Sequence, residues 1–133
     1  MYMLDTNTMS YFFRKVPSVV ERLQQLNPDI ICISSITAAE LFYGVAKRKR
    51  NNQQLSRFLD VFLSTITILE WDTKTAEIYG KLCAEMEKEG KVMGVQDQMI
   101  AAHALANECV LVTSDDKAFS FVPNLILENW RSA

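Results

Sequence analysis

Short, mainly apolar runs alternate along the chain with longer segments in which apolar residues recur every three or four positions. The apolar runs occupy residues 2–4, 30–33, 66–69 and 110–112, and a weaker run lies at 126–127. Short apolar runs of this kind predict strands, and the run at residues 30–33, which is apolar throughout, predicts a strand that is buried on both faces. The pattern therefore predicts a sheet with five strands.

The segments between these runs have the apolar periodicity of amphipathic helices. Pro17 fits the first turn of one helix, and Asp72 or the next residue can cap a long helix that stops at Gly90. Thr37 and Glu40 have the spacing of a capping box, in which each side chain bonds the other residue's backbone amide. Helices are expected at residues 9–14, 17–26, 37–45, 55–62, 73–89 and 97–107.

The alternation of strands and helices determines the predicted fold class. Strands joined through crossover helices form a parallel sheet with helices on both faces, and the crossovers are right-handed in nearly all proteins. The sequence has no internal repeat, low-complexity tract or linker. We therefore expect one α/β domain that spans residues 1–133.

The composition and the N-terminus favour a cytoplasmic protein of one domain. The chain is 49% hydrophobic and 23% charged, as in an ordinary soluble protein that can bury a core. Its apolar runs are far shorter than the roughly 20 residues of a membrane span. The N-terminus reaches Asp5 without a basic segment, unlike a signal peptide. A cytoplasmic protein without a membrane partner is therefore expected.

Three scattered cysteines, Cys32, Cys83 and Cys109, and one histidine, His103, do not have the spacing of a zinc site. The expected roles are reduced, mostly buried thiols and a histidine in the core or at an interface. A zinc enzyme and a cysteine nuclease are both disfavoured.

The overall charge is unusual for a protein that binds nucleic acid. The net charge is −2 and the pI is about 5.4, whereas such proteins are usually basic. The positive charge is nevertheless clustered in four consecutive residues, Lys47, Arg48, Lys49 and Arg50. A run of this kind can be a solvated helix end, or it can contact the phosphates of RNA. The sequence leaves both interpretations open.

Four acidic residues lie where a parallel sheet places its ligand site, outside the carboxyl ends of the strands. Asp5 follows the first strand, and Asp115 follows the fourth. Glu40 is expected in the first turn of the helix after the second strand, and Asp97 opens the helix that leads into the fourth. The four carboxylates are therefore expected to project toward one edge of the sheet.

Each of these acids alone has an ordinary alternative as a helix cap or a turn residue, so their joint placement carries the functional interpretation. Carboxylates gathered on one edge repel one another and raise each other's pKa, and a divalent cation removes that conflict. Hard oxygen ligands suit magnesium, or manganese, rather than zinc. Asn7, Thr113 and Ser114 can support the ligating carboxylates by hydrogen bonding, or can simply cap helices. The expected chemistry is metal-assisted cleavage of a phosphodiester.

Four segments of the sequence together resemble the PIN-domain nucleases, and within them the VapC-type toxins of bacterial toxin–antitoxin pairs. They are YMLDTN at residues 2–7, ISSITAAEL at 33–41, GVQDQMIAAHA at 94–104 and LVTSD at 111–115. The first and third are the most specific, and the resemblance covers essentially the whole chain.

This resemblance implies a Rossmann-like fold with a five-stranded parallel sheet and magnesium-dependent cleavage of RNA. It implies that Asp5, Glu40 and Asp97 form the acidic core. Asp115 matches a more variable position of the family, and Asp116 is its rival if the loop register differs by one residue.

The resemblance also implies partners. It suggests a dimeric toxin held inactive by a VapB-type antitoxin, whose C-terminal tail crosses the active-site groove. The apolar helices around residues 11–13 and 55–62 are candidates to hold that partner. Transfer RNA is the expected target, with initiator tRNA as the leading candidate.

Three other classes of protein could carry part of this pattern. A haloacid-dehalogenase-type phosphatase needs a second aspartate two residues after the first, where this chain has Asn7. A receiver-like phospho-acceptor domain could use Asp72 and Lys117. Such a domain also needs an acidic pair at the end of the first strand, and this chain has only Asp5 there. A catalytically silent PIN-fold binding module is disfavoured because all four acids are present.

Overall fold

A computed structural model describes residues 1–48, 50 and 52–131 of the chain. Five strands form one parallel sheet in the order β3-β2-β1-β4-β5. Their bounds are β1 Tyr2–Leu4, β2 Ile31–Ser34, β3 Thr67–Leu69, β4 Val110–Val112 and β5 Leu127–Glu128. The predicted parallel α/β fold is confirmed, and each strand begins within one residue of its predicted start.

Seven α-helices connect the strands in the described part of the chain. They are α1 Thr6–Phe13, α2 Pro17–Gln25, α3 Ser35–Ala46, α4 Asn52–Leu63, α5 Thr73–Lys88, α6 Val95–Ala106 and α7 Asp116–Phe119. A single 3-10 turn, Pro28–Ile30, lies where the sequence predicts a turn before β2. Among the described residues, no helix is both long enough and apolar enough to cross a bilayer.

Neighbouring residues of each central strand contribute to different cores, because successive side chains of a strand point to opposite faces. Met3 and Leu111 pack on the face that α5 and α6 cover, whereas Leu4 and Val112 pack on the face that α1 to α4 cover. All four side chains are fully buried. The central strands are therefore covered on both faces, as predicted for β2, whereas Thr67 and Ile68 of the edge strand β3 are exposed.

Helices α1, α3, α4 and α6 begin two or three residues before their predicted starts, so Asp97 does not open α6. In α1 and α3 the reason is that an earlier side chain caps the helix. Asp5 accepts a 2.8 Å hydrogen bond from the Thr8 amide, so α1 begins three residues before its predicted start at 9. Ser34 accepts a 3.0 Å bond from the Ile36 amide and caps α3. Thr37 lies inside that helix and is fully buried, so the predicted capping box with Glu40 does not form. Glu40 consequently lies in the second turn of α3 instead of the first.

The ends of α5 follow the sequence prediction. Asp72 caps its start by accepting a 3.0 Å hydrogen bond from the Thr75 amide. Gly90 adopts a φ of 69° just beyond the end, and Lys91 donates its amide to the Met86 carbonyl at 2.8 Å. This is the Schellman arrangement, which places glycine in the left-handed region that other residues avoid.

The segment that follows β5 packs on the face of the sheet that α2 covers. Trp130 is only 4% exposed, and its ring centre lies 5.8 Å from that of Tyr2 on β1. Its indole N–H donates to Glu128 Oε1 at 2.9 Å, and Glu128 also forms a salt bridge with Arg22 at 3.7 Å. Glu128 pairs with Val112 at the end of β4, so the segment that follows β5 begins beside the carboxyl end of that strand.

Candidate active site

The strand order brings the sequence-predicted acids to one edge of the sheet. β1 is central, with β2 and β4 on either side, so the residues that follow these three strands are neighbours. The Asp5 amide donates to the Val112 carbonyl at 3.0 Å, which holds the ends of β1 and β4 in register. α3 begins directly after β2 and carries Glu40 to the same edge.

Asp5 is the most buried of the four acids, with 7% of its surface exposed. Burial raises the pKa of this carboxyl above its usual value of 3.8, and the nearby charge of Asp115 raises it further. Hydrogen bonds from Thr113 and Thr8 act in the opposite direction because they stabilise the carboxylate. Asp5 is therefore a carboxylate that is removed from water but held and oriented by donors.

Asp97 lies in the first turn of α6, where Gly94 is the cap residue. Burial raises its pKa above 3.8, followed in order by the negative charges of Asp115, Asp5 and Glu40. No hydrogen bond to the carboxylate opposes these effects. The structure thus brings the four predicted acids into one group whose charges repel Asp97.

Within the described residues, the carboxylates of Glu40 and Asp115 each accept one hydrogen bond. The Thr6 hydroxyl donates to Glu40 Oε1 at 2.8 Å, which links α3 to α1 across the site. Asp115 caps α7 by accepting the Ala118 amide at 3.3 Å through Oδ1. Asp116, the rival of Asp115 in the sequence, does not contribute to the pKa shift of Asp5 or Asp97. Asp115 is therefore the acid of this loop that faces the group.

The predicted supporting residues occupy two different environments. Thr113 is fully buried, and its hydroxyl accepts the Asp115 amide at 3.0 Å while bonding Asp5. Asn7 and Ser114 instead line an open cleft of about 560 Å³, which we call the Tyr11 cleft; its other lining residues are Tyr11, Asp115, Asn129 and Arg131. Only Thr113 is therefore placed behind the carboxylates, and Asn7 and Ser114 are placed where a ligand would bind.

The predicted basic run is only partly beside the acids. Lys47 and Arg48 line a second cleft, of about 410 Å³, together with Glu40 and Arg14. Arg50 is exposed and lines neither cleft, and Lys49 lies outside the described residues. Contact with RNA remains a prediction for Lys47 and Arg48.

Sequence reasoning missed two cations beside the acids, Arg14 and Arg131. Their guanidinium carbons lie 5.1 Å and 4.5 Å from the centre of the Tyr11 ring. Arg14 ends the first amphipathic helix, where a cation is ordinary, and Arg131 lies almost at the end of the printed sequence. Nothing local in the sequence distinguishes either residue, because its position beside the acids depends on the fold.

His103 lies in the core, as expected, and takes no part in the acidic group. It is fully buried, and its Nδ1 lies 2.8 Å from the Ser34 hydroxyl. Burial lowers the pKa of this imidazole below its usual value of 6.5. His103 is therefore neutral in the folded protein, and its protonation at acidic pH opposes folding.

The donor set fits magnesium better than a softer metal. Within the described ranges, no three Asp, Glu, His or Cys side chains converge closely enough to coordinate one ion together. Magnesium takes one or two carboxylates directly and keeps several waters, so the other acids can act through water. Burial raises the pKa of Asp97, and the charges of the other three acids raise it further; a divalent cation would neutralise that negative charge.

Thr113→Val removes a hydroxyl with little change in volume and tests whether Thr113 supports Asp5. Because a donor to the carboxylate is lost, we expect the pKa of Asp5 to rise further and the apparent affinity for magnesium at neutral pH to fall about tenfold. Titration calorimetry with magnesium measures this. The same substitution at Thr67, which is exposed on β3, is the control, and an equal affinity in both variants contradicts the proposed role.

Comparison with known proteins adds independent information. A family model described as PIN domain matches residues 2–125. Ribonuclease VapC2 of Rickettsia felis is 46% identical over 131 residues, which are 97% of each chain. The tRNA(fMet)-specific endonuclease VapC of Salmonella typhimurium is 36% identical over 129 residues, again 97% of each chain.

The fold is also closely similar to that of a solved structure. The crystal structure of VapBC2 from Rickettsia felis, bound to a DNA fragment from its promoter, contains a chain that superposes with a TM-score of 0.89. The two chains are 44% identical, and the match covers 97% of this chain and 98% of that one.

Proposed function

Because the chain belongs to the PIN-domain family and, within it, to the VapC ribonucleases, we propose that it is a magnesium-dependent endoribonuclease. The observation that carries this proposal is the group of four acids at the carboxyl edge of the sheet: burial raises the pKa of Asp97, and the charges of Asp115, Asp5 and Glu40 raise it further. Such a concentration of negative charge opposes folding unless a cation neutralises it. Carboxyls with a perturbed pKa cluster at functional sites.

Two groups of side chains form the proposed site: carboxylates that would bind the ion, and threonines that hydrogen-bond these carboxylates. Asp5, Glu40 and Asp97 would bind magnesium, with Asp115 assisting directly or through water. Thr8 and Thr113 orient Asp5, and Thr6 orients Glu40. Because these donors belong to the strand ends and to α1, the fold sets the geometry of the acids before any substrate arrives.

The proposed reaction is hydrolysis of an RNA phosphodiester. Magnesium, when bound, supplies positive charge beside the scissile phosphate and lowers the pKa of water. Oxygen from water joins the phosphorus, the bond from phosphorus to the 3′ oxygen breaks, and that oxygen leaves with a proton. The products therefore carry a 3′-hydroxyl and a 5′-phosphate.

We propose transfer RNA as the substrate class, with initiator tRNA as the leading candidate. The support is similarity to the relative named tRNA(fMet)-specific endonuclease, which is 36% identical over 129 residues. The acidic overall charge of −2 also favours a substrate recognised at a local site over one bound by a broad basic surface.

We also propose that the protein is a toxin held inactive by a VapB-type antitoxin, and that it forms a dimer. The similar Rickettsia felis structure is a VapBC complex. On this chain, Phe12, Phe13, Phe58 and Phe62 of α1 and α4 form an aromatic cluster, with ring centres as close as 4.7 Å. Phe58 is 47% exposed, which suits an apolar helix of a partner.

Cleavage of total cellular RNA by the purified, partner-free protein tests the enzymatic proposal. We expect a discrete cut in a tRNA in magnesium, and no cut in EDTA or with Asp5→Asn. Mapping the fragment ends then tests the chemistry, because a 2′,3′-cyclic phosphate would exclude attack by water. Absence of cleavage by the folded protein under every condition would favour the catalytically silent binding module.

A further inference from the structure

The Tyr11 cleft is lined by Arg131, a charged residue that has no role in the proposed hydrolysis. The Arg131 guanidinium lies 4.5 Å from the centre of the Tyr11 ring, and its Nη1 donates to the Tyr11 hydroxyl at 3.3 Å. Ser114 donates to the same hydroxyl at 3.3 Å. Asp115 of the acidic group lines this cleft too, so a ligand bound there would lie next to the reacting phosphate.

The fold fixes the position of Arg131 before any ligand binds. Its carbonyl accepts a 3.0 Å hydrogen bond from Ser18 of α2, and its amide donates to Asn129 Oδ1 at 2.9 Å. The preceding Trp130 is 4% exposed and anchors the segment on the sheet. The guanidinium is therefore presented to the cleft by an ordered backbone, which reduces the entropy lost on binding.

Neither cation beside Tyr11 is neutralised by an acid of the described chain. Arg131 and Arg14 form no salt bridge within residues 1–48, 50 and 52–131, where Arg22 pairs with Glu128. The Ser114 hydrogen bond, and then the charge of Arg131, lower the pKa of Tyr11, which agrees with uncompensated positive charge at the ring. A guanidinium offers five N–H donors, and only one of those of Arg131 is used by Tyr11.

We propose that Arg131, held against Tyr11, binds the RNA phosphate next to the scissile phosphodiester, an inference that rests on the proposed ribonuclease function. The four acids repel a polyanion, so an RNA strand needs cations close to them to enter the site. Arg131 supplies one from the Tyr11 cleft, and Arg14 joins Lys47 and Arg48 in the other cleft. The neutral amides of Asn7 and Asn129 give the Tyr11 cleft hydrogen-bonding groups suited to ribose or base edges.

Binding measured without cleavage tests this assignment. In an Asp97→Asn background, which is expected to be silent, the affinity for a fluorescein-labelled single-stranded oligoribonucleotide is measured by anisotropy at several salt concentrations. Arg131→Gln is expected to weaken binding about tenfold and to reduce the salt slope by about 0.7, the contribution of one phosphate on a single strand. Arg57→Gln, on the exposed surface of α4, makes the same charge change and is expected to alter neither quantity.

Two more variants separate the effect of the Arg131 charge from that of the Tyr11 hydroxyl contacts. Arg131→Lys keeps the charge and should retain the salt slope with a smaller loss of affinity. Tyr11→Phe keeps the ring and removes the hydroxyl contacts with Arg131 and Ser114, so it should weaken binding without changing the slope. Thermal unfolding of each variant checks that the Trp130 anchor is intact.

The outcomes distinguish this proposal from the proposed function. Equal RNA binding by Arg131→Gln and Arg57→Gln overturns the phosphate site and leaves RNA cleavage standing. Unchanged RNA binding together with weaker binding of an antitoxin by Arg131→Gln assigns the cleft to the protein partner and overturns the proposal. RNA binding by none of the proteins, the Asp97→Asn parent included, contradicts the inference and the function together.

Discussion

Asp97→Asn is expected to abolish RNA cleavage and, without divalent cations, to raise the melting temperature of the protein. The loss of activity should be on the order of a thousandfold or more, because the substitution removes a principal charge of the proposed magnesium site. The gain in stability follows from the electrostatics of the folded state. Burial and the charges of Asp115, Asp5 and Glu40 raise the pKa of Asp97 above 3.8.

The direction of the stability change depends on this raised pKa. The stability that a protonated Asp97 contributes is fully present below the unfolded pKa of 3.8 and is lost as pH rises through the folded pKa. At neutral pH the ionised Asp97 therefore opposes folding. Asparagine has nearly the same shape and no charge, so the substitution removes the repulsion and leaves the packing of α6 in place.

Thermal unfolding in EDTA and in magnesium measures both parts of this prediction. The wild-type protein should melt at a higher temperature in magnesium than in EDTA, because a ligand that binds the folded state stabilises it. Asp97→Asn should show a higher melting temperature in EDTA and a smaller increase with magnesium. Asp116→Asn is the matched control, since this exposed acid directly follows Asp115 in the chain but does not contribute to the pKa shift of Asp97. Equal behaviour of the two variants would show that the acidic group is not the ion site.

The second large effect is expected in the pH dependence of cleavage. Asp5 and Asp97 both have a pKa raised above 3.8, and both must lose a proton before they bind a cation. At limiting magnesium, the cleavage rate should therefore rise with pH across an acidic range above 3.8, by up to about a hundredfold per pH unit where both groups titrate. More magnesium should move this rise to lower pH, because the cation and the protons compete.

Rates measured over a grid of pH and magnesium concentration check this prediction. Circular dichroism at each pH is needed, because His103 has a pKa below 6.5 and its protonation destabilises the fold as pH falls from 6.5 through that lower value. Thr113→Val should move the rise toward higher pH, since it removes a donor that lowers the pKa of Asp5. A rate that is independent of pH while the protein remains folded, or a rise that magnesium does not shift, would contradict proton–metal competition.

The apolar runs of the sequence located the strands more accurately than the capping residues located the helix starts. Each strand was predicted to begin within about one residue of its observed start because short apolar runs interrupt the helical periodicity of the rest of the chain. The start of α3 was predicted wrongly because Ser34 and Thr37 are both good capping residues. The structure buries Thr37 completely, and Ser34 is left to accept the amide of Ile36. Local capping signals therefore locate a helix start only to within a turn when two candidates are near each other.

The sequence by itself determined the order of strands and helices and the identity of the four acids, because a residue that directly follows a buried strand must lie at its carboxyl end. Only the tertiary structure decided the strand order β3-β2-β1-β4-β5, which makes Asp5 and Asp115 neighbours. It also decided that Arg131 lies against Tyr11, although the two residues are at opposite ends of the chain. The physical reason is that the burial of a carboxylate, its repulsion by other charges and the stacking of a guanidinium depend on distances through space, which spacing along the chain does not set.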